Sequence, residues 1–220
     1  LRIRTARDSW VCRLARGQTL DVGSAKGSVS RLPPAVTAYT SLDYPQTAQT
    51  LYGARPQVFG DARCLPISSD SCDTVLLLDV IEHIDDPYPA LIESARVLRP
   101  GGQLLLAVPF AYPLHDVPFD YQRLTEFGLR RLIARSGLEV EDVVEAGSGI
   151  AAACLSLALA LAQAAIDGLV KRSWSAVLSP ILVALVPLVN LFGWAGGGLL
   201  PSPRFFPGAY FVIARKRGAT

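Results

Sequence analysis

Methionine is absent from this 220-residue chain, and histidine occurs only twice, at His83 and His115. With Leu1 as its first residue and no methionine to start from, the sequence is expected to begin inside a longer protein. Charge of either sign is scarce: 21 basic against 19 acidic residues leaves a formal net charge of +2. That excess is too small for a nucleic-acid-binding surface, and no basic run is interleaved with aromatics. The four cysteines (Cys12, Cys64, Cys72, Cys154) form no C-x-x-C pair, which argues against a zinc or disulfide framework. Reduced thiols in a cytoplasmic setting are expected instead. No secretory leader is legible, because residues 1–17 are rich in arginine and lack a continuous apolar core.

The most informative stretch that is present runs Leu20-Asp21-Val22-Gly23-Ser24-Ala25-Lys26-Gly27. An apolar run here ends in a loop of small residues. Such a loop lets a ligand approach the main chain and meet the unpaired N–H groups of a following helix. Its spacing is Asp-x-Gly-x-Ala-x-Gly. A dinucleotide fingerprint would place its last glycine where Ser28 stands, and the chain has no Tyr-x-x-x-Lys pair. A nicotinamide oxidoreductase is therefore disfavoured. Taken alone, the loop also reads as a tight βα turn with no ligand.

The residue pattern predicts a leading helix at Asp8–Arg16 and strands at Thr19–Val22, Val36–Leu42, Gln57–Phe59, Asp73–Leu78, Gln103–Val108, Leu138–Val144 and Ala209–Ala214. Helices are expected at Ser28–Leu32 (cut short by Pro33-Pro34), Tyr88–Leu98 and Thr125–Ser136, the last capped by Thr125. The turn Arg99-Pro100-Gly101-Gly102 is read as a terminator. Strands alternating with helices imply a doubly wound α/β sheet, whose ligands lie beyond the carboxyl ends of the strands. Gly23, Asp43, Asp61 and Asp79 all fall at such ends. One aspartate there is ordinary turn chemistry; the set points to a ligand crevice.

Further matching pieces follow in order: Leu42-Asp43, Gly60-Asp61-Ala62, Leu65-Pro66, Asp73–Ile84 and Val97-Leu98-Arg99-Pro100-Gly101-Gly102. Together with the first loop, this series resembles the class I S-adenosylmethionine-dependent methyltransferases of the type 11 group, over roughly residues 18–145 and the final strand. The resemblance implies a Rossmann-like, mostly parallel seven-stranded sheet with an antiparallel last strand, and S-adenosyl-L-methionine as cofactor. It implies that Asp43 accepts from the ribose hydroxyls and Asp61 from the adenine amine, with the Ala62 N–H donating to a ring nitrogen. Gly23 would admit the methionine portion, Asp21 would orient its ammonium group, and Asp79 would lie near the transferring methyl. Ala25 stands where the family has a glycine, and its small side chain keeps it in the cofactor loop.

Both histidines fall in loops after strands. Some quinone O-methyltransferases carry a divalent metal on a segment similar to Asp79-Val80-Ile81-Glu82-His83. Here Glu82-His83 is read as holding the loop, with no metal assigned. His115 lies in Pro113–Thr125, a loop that type 11 relatives often share. It is the candidate proton acceptor from a substrate hydroxyl, with a structural reading beside it. Asp120 and Arg123 are expected to pair and lock that loop.

The chain divides on this reading into a core at 1–148, an apolar helical insertion at 149–206, and a last strand with a basic tail at 207–220. Gly149–Ile166 and Ser173–Pro203 carry no charged residue, and each is long enough to be a membrane-span candidate. A membrane hairpin, a homodimer surface and a roof over a lipidic substrate compete. Pro180 and Pro187 are expected to interrupt the second segment, and Lys171-Arg172 lies between the two. A hairpin within one leaflet is therefore favoured over full crossing. The functional expectation is methyl transfer, O-methylation favoured, to a small or lipid-linked acceptor, by a cytoplasmic protein peripheral on a membrane surface. A membrane-associated scaffold with a degenerate pocket is the alternative.

Overall fold

A long apolar run in a strand can only be satisfied by burial on both faces, and that requirement organises the first of two units. In the computed structural model, which describes residues 2–25, 27, 32–200 and 206–218, this unit comprises Leu1–Pro109, Leu114–Val144 and Tyr210–Thr220. Its strands are β1 (Gly17–Val22), β2 (Val36–Asp43), β3 (Val58–Phe59), β4 (Cys72–Leu78), β5 (Leu98–Pro109), β6 (Leu138–Ala146) and β7 (Ala209–Lys216). They form one seven-stranded sheet in the order β3-β2-β1-β4-β5-β7-β6. The β1–β2, β1–β4, β2–β3 and β4–β5 pairs are parallel. The last strand is antiparallel. Ion pairs between β6 and the end of β7 show the reversal: Glu141 meets Arg215 on β7, while Glu139 meets Arg217 just past it. The central strands carry the core, with Val75, Leu76, Leu77, Leu104, Leu105 and Leu106 all buried.

The helices of this unit are α1 (Arg2–Leu14), a single turn α2 (Pro45–Thr47) that widens into a π turn at Ala48–Tyr52, α3 (Tyr88–Val97) and α4 (Glu126–Arg135). Helix α3 buries Ala90, Leu91, Ser94 and Val97 along one stripe, the spacing that helical periodicity requires. Thr125 caps α4, its Oγ1 accepting the Gly128 N–H at 3.2 Å. Helix α1 sets Trp10 against Phe211 of β7, with ring centroids 5.2 Å apart.

Two elements depart from expectation. Strand β5 starts at Leu98, so Arg99-Pro100-Gly101-Gly102 extends the strand instead of ending a helix far from it. The ladder absorbs these residues as an irregularity: Cys72 to Thr74 on β4 is opposed by Leu98 to Gln103 on β5, and Gly101 takes φ +79°. The leading helix begins at Arg2 instead of Asp8. The helix expected at Ser28–Leu32 lies, apart from Leu32, outside the described residues.

The second unit, Phe110–Pro113 with Glu145–Ala209, is an antiparallel pair of helices. Helix α5 (Gly149–Val170) leads through a 3-10 stretch at Trp174–Leu178 to α6 (Ser179–Leu199). The expected interruption of the second segment does not occur. Pro180 falls in the first turn of α6, where its missing N–H is not needed, and the helix runs on through Pro187.

Leu105 is fully buried in the central strand β5. Truncation to alanine is expected to lower unfolding stability by about 2–5 kcal/mol, measured as a shift of the urea midpoint at unchanged slope.

Candidate active site

Parallel strands deliver their carboxyl ends to one edge, and main-chain hydrogen bonds tie the loops that leave them. The N–H groups of Gly23 and Ser24 both donate to the Leu42 carbonyl, at 2.8 and 3.1 Å. Gly60 N–H donates to the Asp43 carbonyl at 3.0 Å, and Asp79 N–H to that of Ala107 at 2.9 Å. The β1 loop turns sharply, with Gly23 at φ +74° and Ala25 at φ +45°. A Cβ on Gly23 would sit 2.4 Å from Cγ2 of Val80, so the position needs glycine for space as well as for conformation.

Asp43 ends β2 and is buried. Its Oδ2 accepts the Ala25 N–H at 2.7 Å and its Oδ1 the Tyr44 N–H at 2.7 Å. Burial raises its carboxyl above the usual value, and these two donors pull it back part of the way. Each oxygen keeps a second lone pair, so a diol can still be accepted in bidentate fashion. Asp61, beyond β3, is clasped by Arg63, with Nη2 to Oδ2 at 2.9 Å and the Arg63 N–H to Oδ1 at 2.8 Å. The Arg63 hydrogen bonds hold its carboxyl below the usual range. Ala62 follows it, half-buried. Asp21 is wholly buried inside β1, where its Oδ2 accepts the Tyr39 hydroxyl at 2.5 Å. Desolvation and the Asp21 charge push that hydroxyl far up, so it donates throughout the physiological range. Asp79 takes φ +58° just past β4 and is paired with Arg7 of α1. Desolvation raises its carboxyl and the Arg7 guanidinium opposes the shift.

The two histidines come together, rings edge-on with centroids 4.8 Å apart. His83 Nδ1 lies 2.9 Å from the Phe119 carbonyl; a carbonyl only accepts, so Nδ1 carries the proton and Nε2 the lone pair. That Nε2 is 3.8 Å from Glu82 Oε1, and Nε2 of His115 is 3.9 Å from the same oxygen. Glu82 is buried, and neither of its carboxyl oxygens has a hydrogen-bond partner. Burial first, then the Asp79 charge, raises its carboxyl well above the ordinary value. Glu82, His83 and His115 are the described residues grouped tightly enough to grip a cation, with ligand atoms within 4.8 Å of one another. Glu82 would have to lose its proton to ligate. The same three residues also suit a proton-sharing cluster.

The loop from 114 to 125 is strapped to the turn that bears Glu82. Tyr121 N–H donates to the Glu82 carbonyl at 2.9 Å, and Gln122 Nε2 to the Ile81 and Ile84 carbonyls at 3.0 and 2.9 Å. Asp120 and Arg123 pair, with Nη2 to Oδ2 at 2.7 Å, and Asp120 Oδ2 also accepts the His115 N–H at 2.9 Å. His115 Nδ1 lies 3.2 Å from that oxygen and 3.4 Å from Arg123 Nη2. The nearer carboxylate assigns the proton to Nδ1. Sequence reasoning missed Arg7, Tyr39, Tyr52 and Gln122. Tyr52 donates to Asp116 across 64 positions of chain, and only a fold brings such residues together.

Hydrogen bonds from Arg123 hold the Asp120 carboxyl far below its usual range. The sign follows from linkage: this stability is complete above the unfolded value near ~4 and is lost as pH falls toward the depressed one. Arg123→Gln is expected to cost about 2–3 kcal/mol at pH 7, less than a wholly buried pair because Arg123 is partly exposed. The gap between variant and wild type should begin to narrow below pH ~4 and close only as pH falls through the depressed value, read from urea unfolding at stepped pH. Ala25→Gly relieves a left-handed alanine and is expected to raise stability by about 0.5–1 kcal/mol, seen as a higher unfolding temperature.

Residues 20–106 match the family model of a methyltransferase domain. A probable S-adenosylmethionine-dependent methyltransferase of Mycolicibacterium smegmatis is 32% identical over 152 residues, covering 63% of this chain and 59% of the relative. A ubiquinone biosynthesis O-methyltransferase of Xanthomonas oryzae pv. oryzae is 29% identical over 146 residues, covering 60% and 58%. The chain thus spans somewhat under three fifths of the length of these curated relatives. Among solved structures, phosphoethanolamine N-methyltransferase 2 of Haemonchus contortus, in complex with S-adenosyl-L-methionine, aligns at TM-score 0.55 with 17% identity, over 97% of this chain and 52% of that one. The [4+2]-cyclase SpnF aligns at TM-score 0.57 with 19% identity, over 98% and 82%. These structural likenesses bear on the fold. Sheet order, strand-end loops and the segment matched over residues 20–106 together support a class I S-adenosylmethionine-dependent methyltransferase.

Proposed function

We propose that the protein transfers a methyl group from S-adenosyl-L-methionine to a hydroxyl of a small or lipid-linked acceptor. The observation that carries this reading is the pairing of Asp43 with the β1 loop. A buried carboxylate at the tip of β2 is bonded to the main chain of the loop that would face the cofactor. Asp43 fits the ribose, because both oxygens are oriented by N–H donors and retain acceptor capacity. Asp61 and Ala62 follow on the adjacent loop, tied through Gly60 to Asp43, and suit the adenine edge. The cofactor fits the chemistry of these residues, and when bound it supplies an activated methyl on a sulfonium sulfur.

The chain's own residues then have two tasks. The strand-end loops hold the reactants in line, which is where most of the acceleration of such a transfer arises. His115 takes the hydroxyl proton as the oxygen–carbon bond forms and the carbon–sulfur bond breaks. Asp120 keeps the His115 Nδ1 proton in place, so that Nε2 presents the lone pair. Asp79 and its partner Arg7 lie on the methionine side, with Asp21 beneath the loop. An oxygen acceptor is supported by the distant relative named for ubiquinone O-methylation. An amphiphilic acceptor is favoured by the presence of two long apolar helices in the same chain. Four cysteines, all free, suit a cytoplasmic setting.

Calorimetric titration is expected to show micromolar binding of S-adenosyl-L-methionine and none of NADH. Asp43→Ala removes two charge-assisted hydrogen bonds to the ribose, each worth about 1.5–3 kcal/mol, and should weaken binding at least ~100-fold. Loss of binding in the wild type would end this reading. His115→Ala is expected to lower kcat by about 10²–10³ with cofactor affinity unchanged, measured with radiolabelled methyl donor against a panel of hydroxyl acceptors.

A further inference from the structure

We infer that α5 and α6 form a self-paired hairpin that inserts into the hydrocarbon of a lipid bilayer. The inference concerns the second unit alone and does not rest on the methyltransferase reading. Its first support is how the two helices meet. Gly193 and Gly197, four residues apart on α6, lie against α5 so closely that a Cβ on Gly193 would stand 2.6 Å from Cβ of Cys154. One on Gly197 would stand 3.2 Å from Cβ of both Ala151 and Ser148. Ser179 Oγ donates to the Ala165 carbonyl at 3.0 Å near the other end of the seam. Small residues at a four-residue interval, with a hydroxyl bonded across the seam, are how helices associate where burial of apolar surface gives no driving force.

The second support is what this seam leaves outside. Of the most apolar 18-residue windows, only 22% of residues in α5 and 11% in the Trp174–Leu199 segment are buried within the molecule. Helices at the core of a soluble domain show the opposite. Leu157, Ile166, Leu169, Ile181, Leu188 and Phe192 are all exposed. The exposed residues are distributed around each helix with no charged face, which excludes the amphipathic design of a helix lying flat at the interface.

Length and ends agree with insertion. Helices of 22 and 21 residues are about 32–33 Å long at ~1.5 Å per residue, against a hydrocarbon thickness near ~30 Å. Trp174, 82% exposed, stands beside the charged turn, and Trp194, 60% exposed, lies near the far end of α6. These are positions an aromatic belt takes. In the turn, Asp167 pairs with Lys171 at 3.1 Å and so offsets one of its two cations. The uninterrupted course of α6 through Pro187 removes one of the two reasons to confine the hairpin to one leaflet, and the Asp167–Lys171 pair weakens the other, the cations of the turn. Pro is tolerated in spanning helices.

The test is flotation of the full chain with phosphatidylcholine–phosphatidylglycerol vesicles, followed by washing in high salt and then in alkaline carbonate. Insertion predicts that the protein stays with the vesicles through both washes. Release by salt or carbonate would show surface adsorption and overturn the proposal, as would a detergent-free soluble monomer or dimer that does not float. Leu188→Arg with Phe192→Arg, on the outward face, is expected to cut the carbonate-resistant fraction at least ~10-fold. Retention at the wild-type level would overturn it. Helical content by circular dichroism and binding of S-adenosyl-L-methionine, both measured on the same samples, separate a misfolded variant and a failed enzyme reading from a failed insertion.

Discussion

A carboxylate that must leave water needs donors, and Asp43 finds them in the main chain on either side of it. That single constraint fixes much of the crevice. To supply one donor the β1 loop has to fold back over β2, which forces Gly23 and Ala25 into left-handed conformations. The fold-back in turn sends the N–H groups of Gly23 and Ser24 to the Leu42 carbonyl. The next loop joins through Gly60, so the ends of β1, β2 and β3 behave as one connected rim. Removing the charge of Asp43 would leave two aligned N–H groups facing nothing, a larger disturbance than the loss of one surface acid.

The sheet was largely legible because its strands are short apolar or β-branched runs set between glycine, proline and aspartate turns. Seven of seven were placed, with ends differing by a few residues. The one substantial misreading inside the sheet, at Arg99-Pro100-Gly101-Gly102, has a physical cause. Local signals there say turn, yet the partner strand β4 accommodates the turn as an irregular start to β5. Helix α6 likewise departs from expectation: it runs on through Pro187 beside α5, a packing partner that a linear pattern does not show. Of the residues proposed for the site, Asp43, Asp61, Gly23 and His115 are candidates from their order along the chain alone. Their partners could not. Arg7 to Asp79, Tyr39 to Asp21 and Gln122 to the Ile81 carbonyl are contacts across distant stretches of sequence. No residue spacing encodes them.

The chain also joins two kinds of packing. In the first unit, leucines and valines pack inward, and a buried carboxylate such as Asp43 is paired by main-chain donors. In the second, glycine, alanine and serine face inward while leucine, isoleucine and tryptophan face out. Each is the low-energy arrangement in a different solvent. One polypeptide therefore carries two opposite rules for which residues turn away from their surroundings.

The ion pair between Arg7 and Asp79 has a practical corollary for anyone preparing this protein. The match to the family model begins at residue 20, so the turns of chain before it look dispensable. Trimming at that boundary would strip an acidic group at the tip of β4 of its counter-charge and take Trp10 off the back of β7. A fragment cut by similarity alone would retain the signature and lose part of the apparatus.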